Sequence, residues 1–106
     1  MIDTKYNPIP EQLVSNYFEV LINKFYKILP LYEERSETVG QYIDSLLYEL
    51  TGNQEAIIMI NDDGQYASLI GTLESLHGSG DIKKIKREIF KCIRIIESLN
   101  KKYFGR

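Results

Sequence analysis

The side chains able to do nucleophilic or metal chemistry in this chain are few: one histidine, His77, and one cysteine, Cys92. One Cys and one His cannot supply the ligand set of a usual zinc centre. His77 stands in the run His77-Gly78-Ser79-Gly80. A serine nucleophile needs a base that a third group holds in place, and a glycine-rich turn offers nothing to orient the imidazole. His77 therefore reads as a solvent-facing residue of a turn. Asn61-Asp62-Asp63-Gly64 matches part of a calcium loop, but the first ligand position falls on Met59 and the closing glutamate position on Ile70,. Gly78-Ser79-Gly80 precedes a helix start, where anions bind, yet no Lys-Ser/Thr pair follows it and Asp81 opposes an anion there. A general acid needs a carboxylate in apolar surroundings. Glu33, Glu34, Glu37, Asp62 and Asp63 all read as solvated faces and turns, off any apolar stripe. The expectation is a non-enzymatic protein with no catalytic residue, no cofactor and no metal site.

Binding residues are more plentiful, and they divide by charge. The net charge of −2 hides the division. Residues 1–80 carry twelve acidic and four basic residues, while residues 81–106 carry nine basic and three acidic ones. Between 33 and 63 lie Glu33, Glu34, Glu37, Asp44, Glu49, Glu55, Asp62 and Asp63 against a single base, Arg35. The same stretch bears Tyr48 on a polar face, in a chain with eight tyrosines. Tyrosine is enriched at protein interfaces because it offers rigid area with a polar tip. Glu34, Glu37, Gln41, Asp44, Tyr48, Asp62 and Asp63 are thus the candidate surface for a partner protein with a basic face. Small inhibitors of toxins and nucleases, such as immunity proteins and antitoxins, share this acidic character. The alternative is nucleic acid, held by Lys83, Lys84, Arg87, Lys91 and Arg94 on the back of the last helix. Against it stand the acidic total (pI about 5.4) and the want of aromatics interleaved with the bases, Phe90 apart. Packing beside the acidic second helix is the simpler use of that basic back.

The elements that carry these residues follow from periodicity. Ile82, Ile85, Ile89, Cys92, Ile96, Leu99 and Tyr103 recur at alternating spacings of three and four, which is one face of a helix over 81–103. Asp81 is its cap. Cys92 falls on the stripe and reads as a small buried hydrophobe. Three heptads of this stripe also fit a coiled-coil homodimer, but the upstream helices need a partner for stripes of their own. Val14, Phe18, Leu21, Phe25 and Ile28 predict a first helix over 11–29, started at Pro10 and ended by Pro30. Tyr32, Val39, Ile43, Leu46 and Leu50 predict a second over 32–51, ended by Gly52. Asn53 caps a third over 54–77, which the turn at 62–64 is placed to break. The apolar run 57–60 leaves helix and strand both open, the helix favoured because the following segment does not alternate. Residues 1–9, with Pro8 and Pro10, form an extended arm.

The totals set the frame. The length of 106 residues, with 43% hydrophobic and 26% charged side chains, corresponds to one globular domain with a single core. Such a chain buries roughly 65% of its unfolded surface, enough without disulfides. No run approaches a membrane span and the N-terminus lacks a signal-peptide core, so a cytoplasmic protein with no membrane partner is expected. The fold class expected is an all-α antiparallel bundle of four main helices. Its core is Val14, Phe18, Leu21, Phe25, Ile28, Val39, Ile43, Leu46, Leu50, Leu69, Leu73, Ile85, Ile89, Ile93 and Ile96.

Overall fold

The computed structural model describes residues 1–78 and 80–105; Ser79, one of the residues weighed for chemistry above, lies outside the described set. The fold is all-α. Six helical segments follow one another: α1 (Glu11–Tyr26), α2 (Ile28–Glu33), α3 (Val39–Ala56), α4 (Ile58–Asn61), α5 (Gly64–Glu74) and α6 (Ile82–Phe104). The four expected helices are present, with the breaks redistributed.

The longest of them, α6, is set by its own sequence. The Asp81 carboxylate accepts the Lys83 and Lys84 amides at the start, and Gly105 ends it at φ 70, in the left-handed region,. Its apolar stripe, Ile85, Ile89, Cys92, Ile93, Ile96 and Leu99, is buried against α1, α5 and α2. Each such side chain contributes about 1.5–3 kcal/mol by leaving water. The stripe is consumed inside the chain, so it is not available as a coiled-coil seam.

The first helix is shorter than its stripe. It breaks at Lys27, and Pro30 sits inside the first turn of α2 rather than after a continuous helix. Pro30 has no N–H to give the Tyr26 carbonyl, and its ring crowds that carbonyl. The break therefore falls a turn before the proline. The second helix does not start early at residue 32 as expected: Tyr32 belongs to α2, which ends at Glu33, and α3 begins at Val39. Arg35 adopts φ 53, and its amide returns to the Tyr32 carbonyl while the Ser36 amide returns to Leu31. That is a Schellman ending with arginine where glycine is usual. Tyr32 still faces inward, and its hydroxyl donates to the Leu76 carbonyl at 2.5 Å.

At the other end of α3, the expected stop at Gly52 and the expected cap at Asn53 are both corrected. The helix runs through them to Ala56. What ends it is the N-terminal arm. The Lys5 amide bonds the Ala56 carbonyl at 2.7 Å, the Ile58 amide bonds Asp3, and Ile57, extended at φ −98 and ψ 110, bridges Thr4. Residues 58–61 are then helical. The arm is held in turn by the antiparallel bridge between Ile2 and Ile9, which places Ile2 in the core. The turn at 62–64 does break the third segment, and Asp63 caps α5 by accepting the Tyr66 amide at 3.0 Å.

The predicted core residues are buried in one cluster, except Val39, which is half-buried at the start of α3. Ile2, Ile57, Ile60, Tyr66 and Leu76 join them. Among the described residues no helix is long and apolar enough to cross a membrane.

Candidate functional site: an acidic face and a basic face

On α3, Gln41, Asp44, Tyr48 and Glu55 fall at spacings of three, four and seven, so they share one outward row; all four are exposed. Tyr48 is 84% exposed. Thr51 and Gly52 lie beside it and keep the row low on either side. The helix carries no lysine or arginine. Glu34 stands at the C-cap of α2 and Glu37 in the turn before α3; both are exposed, as is Asp62. Asp44 also accepts from His77 Nε2 at 2.8 Å, a true ion pair only when the imidazole is protonated.

Asp63 does not belong to this surface. Its side chain is buried, with Lys102 Nζ at 2.6 Å and the Tyr103 hydroxyl donating to the same oxygen. Burial pushes its pKa up, but the hydrogen bonds from Lys102, Tyr103 and the Tyr66 amide, with the ammonium charge, outweigh that and hold it down at about 2,. The expectation of a solvated turn carboxylate is corrected: Asp63 is a latch joining the start of α5 to the end of α6. Lys102, itself exposed, spends its ammonium on this latch.

Most of the tyrosines prove to be internal struts. Tyr17 donates to Glu49, which also receives Lys24 Nζ at 2.7 Å. Tyr42 donates to the Lys24 carbonyl and Tyr66 to the Leu50 carbonyl. Burial drives the Tyr17 and Tyr66 phenols well above their ordinary pKa. With Tyr32 and Tyr103, these side chains tie helices together at polar points inside an apolar core. Tyr6, Tyr26 and Tyr48 are the exposed remainder. Burial also pushes the Cys92 thiol up to about 12, so it stays protonated and packed.

On α6, Lys83, Lys84, Arg87, Lys91 and Arg94 are all exposed, and none makes an ion pair with the described residues. The expectation that this back neutralises the acidic helix is corrected. α6 packs on α1, α5 and α2, whereas α3 packs on α5, α4 and α2. Phe90, the aromatic at the edge of the basic strip, is engaged edge-on with Tyr26 at 6.1 Å. Between α5 and α6 runs an open groove of about 430 Å³, floored by Ser68, Gly71, Thr72 and Ser75 and walled by Lys84, Glu88 and Lys91. Its signal in the sequence is the run of small residues along α5, which periodicity of apolar residues passes over.

No protein-family model, curated protein or solved structure matches this chain.

Proposed function

We propose that this chain is a non-enzymatic protein-binding module that engages a positively charged partner surface through the outward row of α3. One observation carries the reading: a helix without a single cation presents Asp44 and Glu55 on either side of Tyr48, which is 84% exposed. A large exposed aromatic between carboxylates is the arrangement of an interface anchor with a charged rim. The rim sets on-rate and orientation, and the ring supplies the area. Glu34, Glu37 and Asp62 extend the acidic field; Asp63 does not take part. An inhibitor of the immunity or antitoxin kind, which covers a basic toxin surface, is the form of partner-binding that this acidity supports. Affinity capture from the source cells tests it, with the wild type compared against Tyr48→Ala and Asp44→Lys/Glu55→Lys. The expected result is a partner retained by the wild type and lost by both variants. Equal recovery by all three overturns the reading.

A second reading rests on a separate observation, the exposed cations Lys83, Lys84, Arg87, Lys91 and Arg94 of α6, none in an ion pair with the described residues. These would track the phosphates of a nucleic acid. Titration with labelled DNA and RNA at low and moderate salt decides it. Binding that falls steeply with salt, and is lost in Lys84→Glu/Lys91→Glu, supports it; no binding at low salt removes it.

A further inference from the structure

The two faces match each other. We propose that α3 of one copy of this chain docks in the α5–α6 groove of a second copy, giving a head-to-tail assembly. The inference rests on reading the α3 row as an interaction surface and names one partner for it. Charge is the first argument. α3 carries acids and no base, and the groove wall on α6 carries Lys84 and Lys91, with Arg94 beyond them. Register is the second. At about 1.5 Å per residue, Asp44 lies about 6 Å before Tyr48 and Glu55 about 10 Å after it. On α6, Lys84 lies about 6 Å before the level of Glu88, at the middle of the groove, and Arg94 about 9 Å after it. Laid parallel, Asp44 meets Lys84, Glu55 meets Arg94, and the Tyr48 ring enters the groove between them. Glu88, the one acid on the groove wall, then lies opposite the ring and not opposite a carboxylate.

The floor supplies the third argument. Ser68, Gly71, Thr72 and Ser75 are small, so a ring and a helix can come close. Thr72 is only 7% exposed. Ser75 Oγ donates to the Thr72 carbonyl at 2.6 Å, which keeps the Ser75 side chain folded back on α5. The contact joins two different surfaces, so it does not close by itself into a two-fold dimer and leaves a free face at each end.

Sedimentation velocity of the full chain over a concentration series tests this, at about 10 mM and about 150 mM salt, where the Debye length is roughly 30 Å and 8 Å. The expected result is a sedimentation coefficient that rises with concentration at low salt and an association weakened by about tenfold or more at the higher salt. Asp44→Lys/Glu55→Lys and Lys84→Glu/Arg94→Glu should each be monomeric alone. Mixed, they should associate again, because each variant's α3 row then meets a groove of opposite charge on the other. A wild type that stays monomeric at low salt overturns the assembly, as does a mixture that fails to associate or a wild type that stops at a two-fold dimer. None of these outcomes touches the capture experiment above, whose failure removes the α3 reading itself.

Discussion

Helices α3 and α6 are both amphipathic and both long, yet they are terminated by different means. α6 begins at its own aspartate cap and ends at its own left-handed glycine. α3 passes through the glycine expected to stop it and the asparagine expected to cap the next helix, and ends where the N-terminal arm takes up the backbone at residues 56–58. A glycine within a helix costs about 1 kcal/mol relative to alanine. Packing of Leu46, Leu50 and Ile57 on the core outweighs that cost. Local signals thus decide an element's ends when nothing distant competes for the same backbone groups.

The largest test of the contrast is on the α6 side. Ile89→Ala should cost about 2–5 kcal/mol in chemical denaturation, because Ile89 is buried at the centre of the seam,. A loss below about 1 kcal/mol would contradict the packing. On the α3 side, Ile2→Ala should cost about 2 kcal/mol, near the low end for a buried isoleucine, since Ile2 keeps 8% exposure,. Hydrogen exchange at the Lys5 and Ile58 amides should quicken well before exchange in α6. Uniform loss of protection would show that the arm does not end α3 independently.

The Asp63 latch links the two regions and gives a pH dependence. Its pKa is about 2 in the folded chain against an ordinary 3.8. As pH falls, the unfolded chain therefore takes up this proton first. The stabilisation, about 2 kcal/mol, is complete above about pH 5 and is lost as pH drops toward 2. Asp63→Asn should flatten the fall in urea midpoint between about pH 6 and about pH 3; an unchanged slope would mean that Asp63 is not the titrating latch. The smallest effect expected is at the Schellman ending of α2. Arg35→Gly should stabilise the protein by up to about 1 kcal/mol, by relieving a left-handed arginine. Destabilisation there would show that the Arg35 side chain contributes more than its backbone costs.

Much of the candidate site was legible in the sequence. Spacing along α3 put Gln41, Asp44 and Tyr48 on one row, and spacing along α6 put Lys83, Lys84, Arg87, Lys91 and Arg94 on another. Both rows are exposed as the periodicity requires. Asp62 and Asp63 show where such reading stops. They are neighbours of the same type in the same turn, and one faces water while the other is buried. Nothing local separates them; Lys102 and Tyr103, 39 and 40 residues away, do. The tyrosines divide in the same way, since a hydroxyl's partner across the core has no signature in the tyrosine's own neighbourhood.

By itself the sequence determined the helical class, the inward stripes, the cap of α6 and the separation of charge along the chain. These depend on spacing and on contacts within a turn or two, where hydrogen-bond geometry is local. Only the tertiary structure decided where α1 and α3 end, that the arm is part of the core, that Asp63 is a latch, and that the basic back lies clear of the acidic helix. Each of those is a competition between groups distant in sequence for the same backbone amide, carboxylate or patch of surface, and its outcome is set by which of them the packed core brings within reach.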